Sequence, residues 1–479
     1  MSASSAPIRV ADVIDPRFRS VFAHPEFNNM QSEVLKQCLD SDSNIIVAAP
    51  TGSGKTVLHE LALIQLLLKK DRERTGIKAV FIAPSKALCQ QRARDWRDKF
   101  GRMGYVIAEV TGDADNKNSL RSINQATIII TTPEKWDSLT RCWKDHIYLL
   151  GAVDLLLIDE VHLLGDERGS TLETLVVRMQ MLSRYYQKRL QDNNPGAEKR
   201  MRIVALSATL PNLADVGEWL GCAHDCIRYF GESYRPVPLT VHTLPQGNMN
   251  NPFLFDKSLD DRVVPVIVRF SEDKQVMVFC SSKKGTETMA DKIWRGMHIP
   301  IAVTQKARQH VDVIEGVQDF ALRNLIFRGI AYHHAGVLAD DRAIVEQMYS
   351  VGCIHVLCCT STLAQGVNLP AHLVIIKGTS CWRGGTRGYE NTAKSDIIQM
   401  LGRAGRPGYD DHGIAVIMTS NQDKELYTDV SLSADIIESK LQNNLIESMC
   451  AEITQTVISN ISQSIDWIKS TFFYVRYVM

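Results

Sequence analysis

The chain has 479 residues, 45% hydrophobic and 23% charged, which is enough for two or three cored domains and excludes a fibrous or largely disordered protein. Its 54 basic and 54 acidic residues cancel, so composition gives no support to nucleic-acid binding, and any contact to a phosphate backbone must come from local patches. No apolar run is long enough to span a bilayer or to act as a signal peptide, and eleven cysteines scattered through apolar segments fit reduced thiols, so an intracellular protein without a membrane partner is expected.

Residues 1–7 are small and polar, and a disordered N-terminus is expected over 1–17. The apolar run 45–48 predicts a strand leading into Ala49-Pro-Thr-Gly-Ser-Gly-Lys-Thr56, followed by an amphipathic helix over 57–68. Strand, glycine loop and helix in that order is the setting of a phosphate-binding loop. Gly52 and Gly54, flanked by Pro50, Thr51 and Ser53, let backbone N–H groups close around phosphate oxygens. Lys55 is expected to reach the β- and γ-phosphates and Thr56 to hold Mg²⁺, so ATP and Mg²⁺ are the expected cofactors. The usual first glycine of such a loop is Ala49 here.

Strands are predicted at 79–82, 127–130 and 155–158. The last lies in Leu155-Leu-Leu-Ile-Asp-Glu-Val-His162 and ends in two adjacent acids. Asp159 is expected to share the metal with Thr56, Glu160 to position and deprotonate the attacking water, and His162 to couple the nucleotide state to a second domain. The polar stretch 187–202 reads as a solvated loop, and a strand at 203–206 follows it. Cys222, His224 and Cys226 lack a usual zinc spacing and a second pair, so no metal is expected there.

Residues 231–256, rich in Pro, Gly and Asn with few helical signals, read as a linker. A second set of strands is predicted at 276–280, 330–332, 355–359, 373–376 and 414–418. Within Lys377-Gly-Thr-Ser-Cys-Trp-Arg-Gly-Gly-Thr-Arg-Gly-Tyr389, glycines at a tip between two short arms predict a β-hairpin. From 431 onward the pattern turns helical. Near-continuous apolar strands alternating with helices predict parallel sheets buried on both faces, and two such sets predict two α/β domains.

Further motifs occur in order along the chain: Phe27-Asn-Asn-Met-Gln-Ser32, Thr131-Thr-Pro-Glu-Lys-Trp-Asp137, Ser207-Ala-Thr209, Arg235-Pro-Val237, Val278-Phe-Cys-Ser-Ser282, Tyr332-His-His-Ala-Gly336, Thr360-Ser-Thr-Leu-Ala-Gln-Gly-Val-Asn-Leu-Pro370 and Gln399-Met-Leu-Gly-Arg-Ala-Gly-Arg-Pro-Gly408. The ordered set resembles the Ski-two-like group of superfamily-two helicases over roughly residues 18–476, and within it the Mer-three branch of meiotic crossover helicases. The resemblance implies two RecA-like parallel-sheet domains at 18–230 and 231–428, followed by the start of a helical winged-helix module at 429–479. The family's helical ratchet lies outside the chain, so a shortened form or a fragment is expected, with Phe472, Phe473 and Tyr474 left partly exposed.

By the same resemblance, Gln31 reads adenine with Phe27 nearby, and Gln399, Arg403 and Arg406 belong to the last helicase motif, the two arginines acting as arginine fingers. Pro84, Lys86, Arg92, Thr111, Thr132, Pro133, Lys135 and Thr360 line a nucleic-acid path. Hydroxyls, backbone N–H groups and lysines suit phosphates and carry no sequence code. The hairpin would split a duplex, with Trp382 or Tyr389 stacking on the last base pair. The implied function is a nuclear, ATP-dependent 3′-to-5′ DNA helicase of meiotic recombination, acting on single-stranded and branched DNA. RNA as substrate stays open, because a contact to the 2′-OH cannot be read from sequence. So does an ATP- and DNA-binding protein that hydrolyses ATP without unwinding.

Overall fold

The computed structural model describes residues 8–73, 77–112, 122–141, 150–194, 199–247, 249, 251–366, 369–382, 388–428 and 435–478. The chain divides into two compact units. Unit 1 joins Met1–Tyr234 to Ile436–Met479, and unit 2 is Arg235–Asp435. Among the described residues no helix is long and apolar enough to cross a membrane.

Among the described residues unit 1 is built on seven strands: β1 (Ile45–Ala48), β2 (Ala79–Ile82), β3 (Ile107–Val110), β4 (Ile128–Thr131), β5 (Leu155–Ile158), β6 (Arg202–Ser207) and β7 (Ile227–Tyr229). They pair in the order β3-β4-β2-β5-β6-β1-β7, and every pairing is parallel. The two-residue period of a strand sorts its side chains between two cores. Ile45, Val47, Phe81, Leu155, Leu157 and Val204 enter one core, and Ile46, Ala48, Val80, Leu156, Ile158 and Ile203 the other. Because both faces are covered, β1 and β5 are apolar at every position.

The helix Asn29–Leu39 starts with a reciprocal cap: Gln31 N donates to Asn28 Oδ1, and Asn28 N donates to Gln31 Oε1. The helix Thr56–Glu73 follows the glycine loop, and Lys86–Lys99 follows β2 with Ser85 as its cap. Residues 436–478 pack on unit 1. Leu441, Ile458 and Trp467 form a cluster with Val177 of the helix Gly169–Asn193. The expected partial exposure holds for Phe473 and Tyr474, which are half-buried, and is corrected for Phe472, which is fully buried against Trp219, ring centroids 5.8 Å apart.

Two other expectations fail in unit 1. The N-terminus is ordered from Ile8: Val10 N donates to Pro25 O, and Val10 and Ile14 are buried with Phe18. The stretch expected as a loop from 187 is helical to Asn193. Good helix formers there extend the helix past the edge of the core, where no apolar stripe is required.

Among the described residues unit 2 holds a six-stranded, all-parallel sheet of β8 (Leu239–Pro245), β9 (Val276–Phe279), β10 (Ile330–His333), β11 (Val356–Cys359), β12 (Leu373–Lys377) and β15 (Gly413–Thr419), in the order β10-β11-β9-β12-β15-β8. A separate antiparallel pair is formed by β13 (Ser380–Trp382) and β14 (Tyr389–Asn391). The expected linker 231–256 is largely folded. β8 pairs with β15 over seven residues, and the helix Pro252–Phe270 begins within it. Edge placement leaves β8 only half-buried, which weakens its apolar signal, while Asn251 and Pro252 are a helix cap and first helical residue rather than loop formers. The two units are tandem RecA-like α/β domains.

Candidate functional site

In an open parallel sheet, ligand-binding residues gather at the carboxyl ends of the strands. Ala49 follows β1, Asp159 follows β5 and Ser207 ends β6, and these three strands are neighbours. Thr111 follows β3, Thr132 follows β4 and Pro84 lies just past β2, on the other half of the same sheet. The strand order therefore segregates the nucleotide candidates from the nucleic-acid candidates along one edge of unit 1.

The glycine loop uses two left-handed residues, Gly52 at φ +84° and Gly54 at φ +80°. A Cβ on Gly54 would meet Gln31 Nε2 at 2.6 Å. Lys55 Nζ donates to Ala49 O at 2.7 Å and to Pro50 O at 3.0 Å. Ser53 is fully buried, and its hydroxyl has no hydrogen-bond partner among the described residues. Gln31 Nε2 donates to Gly54 O and Asn28 Nδ2 to Ser53 O, so the capped helix start braces the loop. The sequence reading missed Asn28; its signal was the Asn-x-x-Gln capping pattern. Phe27 is buried edge-on to Phe22 at 5.3 Å, so its ring faces are spent on the core and not offered to a base.

At the end of β5, burial raises the Asp159 carboxyl above its usual range and the Glu160 charge raises it further, while His59, Arg92 and Lys55 oppose the shift. A cation there would relieve both raising causes. Glu160 takes a left-handed φ of +55°, rare for a residue with a side chain. Its Oε2 lies 3.3 Å from Nδ1 of His162, and Ala208 N donates to that nitrogen at 3.2 Å. The Ala208 N–H occupies the Nδ1 lone pair, which anchors His162 to the Ser207-Ala-Thr209 segment of the same unit. His59, beneath the sheet, is pushed down to about 4 by burial, which holds its ring neutral.

Arg92 departs from its expected place. Lys86 is exposed at the helix start, but Arg92 lies six residues on, about 240° around the helix. Its Nη2 donates to Thr56 Oγ1 at 3.2 Å, its Nη1 to Asp95 at 3.2 Å, and the guanidinium sits over Phe81 and Trp96. These contacts place its guanidinium beside the end of the phosphate loop. Lys86 does approach the other nucleic-acid candidates: a Cβ on Gly112 would lie 3.5 Å from its Nζ. Thr111 Oγ1 donates to Glu109, Thr132 and Pro133 are buried at the start of the helix Pro133–Thr140, and Lys135 on that helix is half-buried.

In unit 2, Thr360 follows β11 and its hydroxyl lies 2.9 Å from that of Thr362. Gln399 is buried on the helix Lys394–Leu401. Arg403 Nη2 donates to Ala364 O. Arg406 is held by Asp410 through its backbone N, Nε and Nη2 at 2.9–3.0 Å, and its Nη1 donates to Gln275 Oε1. Trp382 and Tyr389 face each other at the end of the antiparallel pair, centroids 5.2 Å apart, and Trp382 is 60% exposed. The expected glycine tip, 383–387, lies outside the described residues.

Residues 28–216 match the DEAD/DEAH box helicase family and residues 308–408 the helicase conserved C-terminal domain. The chain is 42% identical over 470 residues to the "Probable ATP-dependent DNA helicase HFM1" of Xenopus tropicalis, covering 97% of this chain and 34% of that protein. It is 38% identical over 477 residues to the "ATP-dependent DNA helicase homolog MER3" of Arabidopsis thaliana, covering 96% and 41%. It is 37% identical over 469 residues to the "ATP-dependent DNA helicase MER3" of Saccharomyces cerevisiae, covering 97% and 37%. The chain thus spans between a third and two fifths of these relatives' length. Membership of such a family carries the use of ATP. With both helicase domains in tandem, and this identity across nearly all its residues, the chain belongs to the Ski-two-type superfamily-two helicases, in the Mer-three-like group.

Proposed function

We propose that the chain is the motor of an ATP-dependent 3′-to-5′ DNA helicase that works in the nucleus on single-stranded and branched DNA during meiotic recombination. The observation that carries this reading is the sheet order of unit 1, which gathers the glycine loop and the paired acids on one half of an edge and Pro84, Lys86, Thr111 and Thr132 on the other.

The loop fits a nucleoside triphosphate: two left-handed glycines, a lysine ammonium resting on backbone carbonyls, and a buried Ser53 hydroxyl with no partner among the described residues. Thr56 and Asp159 fit Mg²⁺, since they offer a hydroxyl and a desolvated carboxylate. ATP with Mg²⁺ supplies the phosphoryl bond whose hydrolysis drives translocation. Lys55 holds the terminal phosphates, and Glu160 accepts a proton from the attacking water. Arg403 and Arg406 are the proposed charge-stabilising groups of unit 2, and such groups contribute roughly 10³–10⁵ in rate. Trp382 and Tyr389 offer aromatic faces on which a base can stack.

The test is ATP hydrolysis with and without single-stranded DNA, with Lys55→Ala as control, followed by displacement from duplexes tailed at either end and from RNA. DNA-stimulated hydrolysis lost in the variant, with displacement only from a 3′ tail, is expected. Stimulation without displacement would replace this reading with a DNA-binding ATPase, and preferential stimulation by RNA would move the substrate.

A further inference from the structure

The carboxylate of Asp410 that holds Arg406 faces a second cluster on its other side. Nδ1 of His372 lies 3.3 Å from Asp410 Oδ1. His372 is fully buried just ahead of β12, and neither ring nitrogen makes a hydrogen bond among the described residues. Its Nε2 lies 3.6 Å from Oε2 of Glu272. The other oxygen of that carboxylate lies 3.3 Å from Nε2 of His412. The two imidazoles meet edge to face at 5.4 Å, and one donor atom from each of the three residues lies within 4.8 Å of the other two.

We propose that Glu272, His372 and His412 form a binding site for one divalent transition-metal ion of the zinc class, with Asp410 orienting His372 from behind. Zinc ligands at about 2.0–2.1 Å in a tetrahedron stand about 3.3 Å apart, and each imidazole Nε2 stands within a few tenths of an ångström of that distance from one of the two oxygens of the Glu272 carboxylate. Two imidazoles and one carboxylate suit zinc and its neighbours, whereas Mg²⁺ and Ca²⁺ prefer all-oxygen sets. A carboxylate on the far nitrogen of a ligating histidine is the usual support for such a ligand. Without a metal ion the buried Nε2 of His372 makes no hydrogen bond among the described residues.

Lys274 is the built-in competitor. Its ammonium lies 3.0 Å from Glu272 Oε2 and 3.9 Å from Asp410 Oδ1 on a side chain 34% exposed, so a metal ion displaces it toward solvent. The ion would also fix His372 against Asp410, the carboxylate that grips Arg406. That consequence for hydrolysis rests on the role proposed for Arg406, whereas metal binding does not.

The experiment is a titration of the purified chain with Co²⁺ in Mg²⁺ buffer, read by the visible absorption of tetrahedral Co²⁺ and then displaced by Zn²⁺. One equivalent is expected in the wild type, lost in His412→Ala and His372→Ala, and bound several-fold more tightly in Lys274→Ala. His412 has a 44% exposed side chain, so its variant keeps the test interpretable if His372→Ala fails to fold. A wild-type signal that survives His412→Ala, a thiolate-to-cobalt band, or no saturable binding would each overturn the site. Failure of ATP hydrolysis in the wild type would count against the helicase reading and leave this one standing.

Discussion

Arg92 donates to the hydroxyl of Thr56 at 3.2 Å, which joins the helix that begins at Lys86 to the residue expected to hold Mg²⁺. The same guanidinium opposes the upward shift of the Asp159 carboxyl. A cation over two aromatic rings and against a loop hydroxyl sets where that hydroxyl points. Arg92→Ala is therefore predicted to raise the Mg²⁺ needed for half-maximal binding of a fluorescent nucleotide by roughly tenfold, the lower end for losing a supporting partner of a metal ligand. Arg92→Lys should recover only part, because an ammonium lacks the planar fork that bonds Thr56 and Asp95 together. An unchanged Mg²⁺ requirement in the alanine variant would show that the contact is only structural.

Glu160 is held left-handed, with its carboxylate 3.3 Å from His162 Nδ1. Strain of that kind persists where the surroundings over-determine it. Glu160→Gln keeps the shape and removes the proton acceptor. Nucleotide affinity should stay within a few-fold, and turnover should fall by roughly 10²–10⁴, the range for a lost general base. Single-turnover hydrolysis near the wild-type rate would move the role of base to another residue.

Much of this site was legible because its signals are local. The Gly-Ser-Gly-Lys-Thr run and the Leu-Leu-Leu-Ile-Asp-Glu run each state a strand, a turn and a charge within eight residues. The fully buried strands β1, β2 and β5 matched their expected limits because both faces are apolar. The edge strands β7 and β8 were not foreseen, since a half-covered strand has a weak apolar pattern, and in β3 Glu109 interrupts a short run that is otherwise buried. The contact of Arg92 with Thr56 was not legible because a motif fixes a stretch of helix but not which side of it a residue occupies. The buried partnership of Arg178 with Glu452 was illegible for a different reason: it spans 274 positions.

That partnership makes a third prediction. Arg178, 1% exposed, bonds Glu452 Oε1, Asp137 Oδ1 at 2.7 Å and Thr140 Oγ1 at 2.9 Å, fastening the helix Leu445–Thr454 to the rest of unit 1. Arg178→Ala strands a buried Glu452 carboxylate and should cost about 3–5 kcal/mol. Asp137 keeps Arg141 at 2.7 Å, so most of the loss should trace to Glu452. The double variant Arg178→Met with Glu452→Met should then be markedly more stable than Arg178→Ala. Urea unfolding of the single and double variants checks this, and equal losses in both would remove the stranded charge as the cause.

Glu173 gives the chain a pH-dependent fastening. Burial pushes its carboxyl up from 4.5 to about 7, against donors from Ser439 Oγ at 2.7 Å and Phe473 N at 2.8 Å. A folded-state pKa above the unfolded one means that the folded chain binds the extra proton. The stabilisation is fully present below about 4.5 and is lost as pH rises to about 7. Glutamine mimics the protonated acid: its amide oxygen accepts from Phe473, and Ser439 can accept from its NH₂. Glu173→Gln should match the wild type near pH 4.5 and exceed it above pH 7 by at most about 3.5 kcal/mol, because each tenfold change in proton affinity is worth ~1.4 kcal/mol. Unfolding both proteins across that window isolates this one group from all others that titrate. A difference that stays constant with pH would mean that Glu173 is ionised throughout and held by its two donors alone.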